Sequence, residues 1–194
     1  MKKAILTAFA VALLLPQAAL AKVYEVDSAH SNVVFSIRHF VSYVEGRFRE
    51  FVGNIDYDAA NPAASSVNFT IQAKSIDTDN DKRDDHLRSP DFFNVDKYPT
   101  LSFVSKKVIP RGKEQLDVVG ELTIHGVTKA ITVPVTILGT TPGPKPGSEL
   151  IGFRTEFTID RKEFGLVWNR ALDKGGSVLG DEVNIRILVE AGHE

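Results

Sequence analysis

Residues 75–99 read SIDTDNDKRDDHLRSPDFFNVDKYP, and this stretch interrupts the strand-like pattern of the rest of the chain. A side-chain oxygen can accept hydrogen bonds from the free N–H groups of a first helical turn. The candidate helix caps of this kind are Ser75, Asp77 and Asp79. Pro90 ends any helix just before it, because proline lacks an N–H and clashes with the preceding turn. The stretch therefore predicts a short helical insertion near residues 78–94.

Alternation of apolar and polar residues fills most of the remaining chain. Side chains along a strand point to opposite faces in turn, so a period of two indicates a sheet with one apolar face. The alternating segments are residues 31–38, 67–73, 116–124, 131–137, 151–159 and 183–189, with further strands expected in 43–57 and 101–108. Turn signals separate them. About eight strands with hairpin-like connections leave two all-β architectures, a sandwich or an up-and-down barrel.

The first 21 residues have the layout of a secretory signal peptide. Lys2 and Lys3 precede an uncharged apolar run, and Ala19-Leu20-Ala21 is a small-x-small cleavage site. The run is too short for a bilayer span, which needs about 20 apolar residues. We therefore expect cleavage after Ala21, export to the periplasm, and a single mature domain over residues 22–194 with no membrane span.

Charge and cysteine content exclude several classes of function. Without Lys2 and Lys3, 21 of the 23 basic residues remain against 25 acidic ones, a formal charge of −4. There is no basic stripe, so nucleic acid is a poor candidate partner. The chain has no cysteine, which excludes disulfides, thiol chemistry and cysteine-based metal sites. Stability must then come from burial.

The helical insertion also carries a family resemblance. Its residues Arg83-Asp84-x-His86-Leu87-Arg88-Ser89-x-Asp91-Phe92-Phe93, followed by Tyr98-Pro99, resemble the YceI-like family of exported polyisoprenoid-binding proteins. The resemblance extends from Tyr24-x-Val26-Asp27 to Gly180-Asp181-Glu182-Val183. It implies an all-β fold with a single antiparallel, up-and-down, lipocalin-like barrel around an elongated apolar pocket. Eight strands is the size at which a barrel can hold one small ligand.

The function that the resemblance implies is binding rather than catalysis. An exported soluble protein would bury a polyisoprenoid, either a polyprenyl lipid or an isoprenoid quinone, in the barrel interior for carriage or sequestration. This lipid would be its ligand, and no other cofactor and no metal are implied. The oligomeric state stays open between a monomer and a homodimer.

Inward-facing positions of the strand pattern predict the wall of the pocket. The expected apolar lining is Val33, Phe35, Ile37, Phe48, Phe69, Ile71, Phe103, Leu122, Phe157 and Trp168. Trp168 lies outside the regular strand pattern, where its ring could either cover the pocket or plug one barrel end. Arg38, His39 and Arg47 could place hydrogen-bond donors at a barrel mouth, where a polar ligand head would lie.

Motifs of other protein classes are incomplete or missing in this chain. Asp77-x-Asp79-x-Asp81 resembles the start of a calcium loop, but Lys82 and Arg88 stand where that loop needs Gly and Glu. The chain has no Gly-x-Ser-x-Gly elbow and no HExxH motif, so no catalytic or metal-binding residue is predicted. Two alternatives stay open: a membrane-spanning outer-membrane barrel, whose apolar band would face outward, and an exported enzyme acting on an isoprenoid or other amphipathic lipid.

Overall fold

A computed structural model describes residues 22–172 and 176–194. The predicted signal peptide lies outside these residues. The strands are β1 (Lys22–Val26), β2 (Asn32–His39), β3 (Ser42–Phe48), β4 (Phe51–Tyr57), β5 (Ser66–Gln72), β6 (Ile76–Asp77), β7 (Thr100–Pro110), β8 (Gln115–Ile124), β9 (Val127–Pro142), β10 (Glu149–Asp160) and β11 (Leu179–His193). Helix α1 (Asp81–Arg88) lies between β6 and β7, and 3-10 turns occupy Pro62–Ala64, Ala73–Ser75 and Arg161–Phe164.

Eight antiparallel strands close into a barrel in the order β1-β4-β5-β7-β8-β9-β10-β11, because β11 pairs back with β1. Three of these strands are continued by a second piece: β2 continues β1 along β11, β3 continues β4 along β2, and β6 continues β5 along β3. Successive barrel strands therefore follow the chain up and down. The predicted eight-stranded, up-and-down barrel is confirmed, and the sandwich is excluded.

The two ends of the barrel are built differently. The helix end carries the β2–β3 turn, α1, the β8–β9 turn and the connection from β10 to β11. The termini end carries the start of β1, the end of β11, and the β4–β5, β7–β8 and β9–β10 loops. At the termini end a packed cluster forms a floor under the barrel interior. Its members include Tyr24, Tyr57, Val108, Leu116, Ile137, Ile151 and Phe153, each at most 9% exposed.

Helix α1 forms the predicted insertion and is shorter than the range 78–94. Its N-cap is Asn80, whose side-chain oxygen accepts from the Arg83 N–H at 3.0 Å. The three predicted caps, Ser75, Asp77 and Asp79, were wrong. Asp79 has a φ of 57°, in the left-handed region, which turns the chain just before the cap. Ser89 is the C-cap, so the helix ends before Pro90, as the proline predicts.

Strands β9 and β10 separate toward the helix end. Their pairing runs from Pro142↔Glu149 to Val135↔Thr155 and goes no further among the described residues. Pro134, which lacks an N–H, stands at the point where the pairing stops. The turn after β10 fills the gap with Phe164, 1% exposed, which packs in the core with Leu166. Where the hydrogen bonds between β9 and β10 end, the side chains of Phe164 and Leu166 therefore complete the barrel wall.

Candidate ligand cavity

The barrel encloses a cavity of about 390 Å³. Ligand pockets commonly have volumes of about 300–1,000 Å³ and mostly apolar walls. Many aromatic rings lie on this wall, those of Phe35, Phe48, Tyr57, Phe69, Phe92, Phe93, Phe103, Phe153, Phe157 and Trp168. Aliphatic side chains complete the wall between them. The cavity therefore offers an apolar ligand a site in which water would be unfavourable.

All ten side chains of the predicted lining lie on the cavity wall. They are Val33, Phe35, Ile37, Phe48, Phe69, Ile71, Phe103, Leu122, Phe157 and Trp168. Nine of them belong to strands whose alternation turns every second side chain inward. Trp168 reaches the wall from the connection between β10 and β11. Contact of these residues with a ligand stays a prediction.

Of the three predicted head-group residues, one side chain faces the cavity and two face away from it. His39 faces the cavity. Arg38 instead donates to the carbonyl oxygen of Phe40 at 2.8 Å, and Arg47 donates to Asp77 at 3.3 Å. Neighbouring positions on a strand point to opposite faces, so an inward Ile37 turns Arg38 outward. The same alternation turns Arg47 away from the interior beside Phe48. Neither arginine lies on the cavity wall.

Polar groups that the sequence analysis did not predict as head-group contacts reach the cavity from the helix end. Thr78, Arg83 and His86 all lie on its wall. Arg83 Nε donates to Thr78 Oγ1 at 2.7 Å, and Nη2 donates to the Thr78 carbonyl oxygen at 2.6 Å. The buried carboxylate of Asp84 accepts from the Thr78 N–H at 3.0 Å and from its hydroxyl at 2.5 Å. Arg83 and His86 are three residues apart on α1, a spacing that places them on one helix face.

Trp168 packs against the insertion. Its ring centre lies 5.0 Å from the imidazole of His86 in an edge-to-face arrangement and 5.2 Å from the ring of Phe92. The ring is half-buried and borders the cavity. This aromatic cluster of His86, Phe92 and Trp168 joins α1 to the β10–β11 connection at the barrel mouth.

Arg161 holds that connection in place. Its side chain is 3% exposed. It donates to the carbonyl oxygens of Gly180 and Trp168, each at 2.9 Å, and to that of Leu166. Burial lowers the pKa of the guanidinium, while the nearby charges of Asp181 and Asp160 oppose this shift. The backbone carrying Trp168 is therefore tied to β11 by a buried cation.

A second group of ionisable side chains lies outside the cavity, at the break between β1 and β2. His30 Nδ1 is 2.7 Å from Asp27 Oδ2 and 3.9 Å from a carboxylate oxygen of Glu190. The hydrogen bond with Asp27 raises the pKa of His30 and lowers that of Asp27. The group is solvent-exposed. Its ion pairs hold the segment between β1 and β2 against β11.

No helix in residues 22–172 or 176–194 is long and apolar enough to cross a membrane. The phenyl rings of Phe35, Phe69 and Phe103 line the interior of the barrel.

Comparisons with known proteins agree with this architecture. A family model of the YceI-like domain matches residues 24–191. A UPF0312 protein of Vibrio cholerae is 38% identical over 170 residues, covering 86% of this chain and 89% of the relative. The solved YCEI protein of Campylobacter jejuni is 34% identical, with a TM-score of 0.69, over 93% of this chain and 99% of that one.

A third match supports the fold alone. A polyisoprenoid binding domain from Saccharophagus degradans, implicated in plant cell wall breakdown, is 17% identical, with a TM-score of 0.66, over 91% of this chain and all of that one (100%). The family model reaches from within β1 to within β11 and includes the α1 insertion between them. The chain therefore belongs to the YceI-like family.

Proposed function

We propose that this protein binds a polyisoprenoid, a polyprenyl lipid or an isoprenoid quinone, by burying its tail in the barrel cavity. The observation that carries the proposal is the closed barrel with an apolar cavity of about 390 Å³. Each buried CH₂ group stabilises the complex by about 0.8 kcal/mol, before the costs of association are subtracted. A tail of several isoprenoid units therefore supplies enough binding energy without any strong polar contact. The Saccharophagus degradans neighbour, described as a polyisoprenoid binding domain, is consistent with this ligand class.

The ligand enters from the helix end with its tail toward the termini end. The floor cluster at the termini end is packed and nearly unexposed. At the helix end, the wall side chains of His39, Arg83 and His86 can donate hydrogen bonds to a ligand head. Arg83 Nη1 has no hydrogen-bond partner among the described residues and suits this role best.

The proposal includes export and carriage or sequestration of the lipid. The signal-peptide pattern of the first 21 residues supports export to the periplasm. N-terminal sequencing of the protein purified from its natural host should begin at Lys22. A start at Met1 would contradict export by this signal.

Mass spectrometry of the lipid extract from natively purified protein tests the ligand. We expect one polyisoprenoid per chain. Phe69→Asp should abolish its retention, because an unpaired charge in the apolar interior is costly. Asn68→Asp is the matched control, since it adds the same charge to the outward position next to it on β5 and should retain lipid. Absence of a stoichiometric lipid in the natural host would overturn the proposal, and turnover of a prenyl pyrophosphate would favour an enzyme.

A further inference from the structure

Several large apolar side chains at the helix end are exposed to solvent. Val41 is 101% exposed, Tyr43 70% and Phe40 39%, and all three belong to the β2–β3 turn or the start of β3. Val167, on the connection from β10 to β11, is 64% exposed. We call these four side chains the apolar rim.

The two segments that carry the apolar rim are neighbours around the cavity mouth. The Phe40 N–H donates to the Val178 carbonyl oxygen at 2.8 Å, and the Val178 N–H donates to the Arg170 carbonyl oxygen at 3.0 Å. Each segment also contributes a side chain to the cavity wall, His39 from one and Trp168 from the other. The apolar rim is therefore continuous with the apolar interior of the barrel.

Phe40 is in an unusual backbone conformation for its residue type. Its φ is 52°, in the left-handed region. Tight hairpin turns normally place Gly, Asn or Asp in this region, because a bulky side chain is disfavoured there. Such outliers concentrate at functional sites, where the surrounding structure maintains them. The Phe40 ring packs edge to face against the ring of His39, with the ring centres 4.7 Å apart, and the rest of its surface is exposed to solvent.

The size and charge of the apolar rim indicate what covers it. A stable protein interface buries about 800 Å² on each partner, which four side chains on two loop tips do not supply. Residues 40–44 and 164–169 include no charged side chain, and the guanidinium of Arg38, which donates to the Phe40 carbonyl oxygen, lies near the opposite charge of Asp181. The four rim side chains therefore offer apolar contact rather than attraction to a charged partner. Tyrosine and other aromatic residues are favoured where apolar and aqueous phases meet, as at a membrane surface.

We propose that the apolar rim inserts into the interfacial layer of a lipid bilayer, so that a polyisoprenoid passes between bilayer and cavity without crossing water. This inference rests on the proposed function. Insertion would place the mouth of the cavity against the hydrocarbon layer of the bilayer, in which a polyisoprenoid dissolves. It requires apolar contact and does not require anionic lipid.

Transfer from vesicles tests the proposal. Phosphatidylcholine vesicles containing a polyprenol are mixed with lipid-free protein, and uptake is followed by separating protein from vesicles and quantifying the bound polyprenol. In the triple variant Val41→Ser, Tyr43→Ser, Val167→Ser we expect the uptake rate to fall by more than about tenfold, the factor given by about 1.4 kcal/mol of lost insertion energy. The matched control replaces Val23, Val52 and Leu138 by serine, since these residues are 51%, 66% and 55% exposed but lie away from the apolar rim.

A second measurement separates this inference from the proposed function. Polyprenol delivered from ethanol, without vesicles, should bind the triple variant and the wild type with the same affinity. Wild-type protein that binds no polyprenol in this assay would contradict the proposed function itself. Wild-type protein that binds it, together with a triple variant that takes it up from vesicles at the wild-type rate, would overturn the membrane contact. A requirement for anionic lipid, or for a second protein, would also overturn it.

Discussion

At the scale of single residues, glycines make room for the phenyl rings of the cavity wall. A Cβ atom added at Gly46 would lie 2.4 Å from Cζ of Phe35, its cross-strand partner. One added at Gly53 would lie 2.6 Å from Cδ2 of Phe69, again the cross-strand partner. A glycine in a strand commonly marks such a close approach. These glycines set how far the rings can withdraw from the ligand space.

The glycines differ in what a methyl group would meet, and this difference gives a prediction. At Gly120 the added Cβ would lie 2.6 Å from the Val104 carbonyl oxygen, which is backbone and cannot move alone. At Gly46 the contacts within 3 Å are side-chain atoms of Phe35 and Thr78. We expect Gly120→Ala to cost about 1–3 kcal/mol of unfolding free energy, the usual cost of overpacking. Gly46→Ala should cost less, because the Phe35 ring can turn into the cavity.

Urea unfolding and lipid stoichiometry distinguish the two variants. Gly46→Ala should reduce bound polyisoprenoid more than it reduces stability, because the displaced ring occupies ligand space. A larger stability loss in Gly46→Ala than in Gly120→Ala would show that the rings have no room to move inward.

Trp168 provides a direct optical test, because it is the only tryptophan in the chain. Adding a polyprenol to lipid-free protein should shift its emission saturably as water is displaced from the ring. Trp168→Ala should speed lipid release more than it lowers stability. If emission is the same with and without lipid, and the alanine variant is strongly destabilised, Trp168 plugs the barrel and does not contact the ligand.

At the scale of elements, Asp77 joins β6 to β3. Its carboxylate accepts from Arg49 Nε at 2.6 Å, from Arg47 Nε at 3.3 Å and from the Asp79 N–H at 2.9 Å. The hydrogen bonds from the Asp79 backbone and from Arg49 lead the causes that lower the pKa of Asp77 to about 2. Arg47, which the sequence analysis placed at the barrel mouth, therefore helps to hold the start of the insertion against the barrel.

The pKa of Asp77 predicts how stability depends on pH. Because the folded-state pKa lies below the ordinary value, Asp77 stabilises the fold above pH about 4, and this contribution is lost as the pH falls toward 2. Asp77→Asn should lower the urea midpoint at pH 7. The difference from wild type should shrink between pH 4 and pH 2. A difference that stays constant over this range would show that the carboxylate charge is not responsible.

The strands were predictable because each one repeats a two-residue pattern, and burial of one face enforces that pattern. The breaks that divide three of the barrel strands into two pieces were not predictable. The chain leaves β1 at Asp27, whose side chain accepts from the Ala29 N–H at 2.8 Å, a local turn without a periodic signal. The helix cap was missed for a related reason. Several oxygen-bearing residues precede α1, and the left-handed Asp79 leaves Asn80 as the residue that caps it.

At the scale of the whole molecule, the apolar wall of the site was predictable and its polar mouth was not. Inward positions of an eight-stranded barrel follow from alternation once the barrel is assumed. The positions of Arg83 and His86 depend on how the insertion folds back over the barrel end, which no repeat in the sequence encodes. The signal available was the motif Arg83-Asp84-x-His86, whose spacing places both side chains on one helix face. Strict alternation along β2 and β3 would also have excluded Arg38 and Arg47 from the predicted contacts inside the cavity.

Ligand removal should weaken the whole barrel, because the chain has no disulfide and relies on burial. A ligand at 100 times its dissociation constant stabilises the native state by about 2.7 kcal/mol. For a domain of this size that corresponds to about 5–10 °C in melting temperature. Differential scanning calorimetry of lipid-free and polyprenol-saturated protein measures the difference. Equal melting temperatures at saturation would show that the lipid does not bind the folded barrel.

The pairing of β1 with β11 has a practical consequence for handling the protein. Glu25 pairs with Gly192, and the ring of His193 donates to the Val23 carbonyl oxygen at 2.9 Å, so the first and last strands end side by side. The order of strands around the barrel is therefore closed, with the first strand next to the last. A short peptide joining Glu194 to Lys22, with new ends cut at the exposed Gly112, should yield a circular permutant of the same shape. A tag or bead attached at Lys22 or Glu194 should leave the helix end of the barrel facing away from the support.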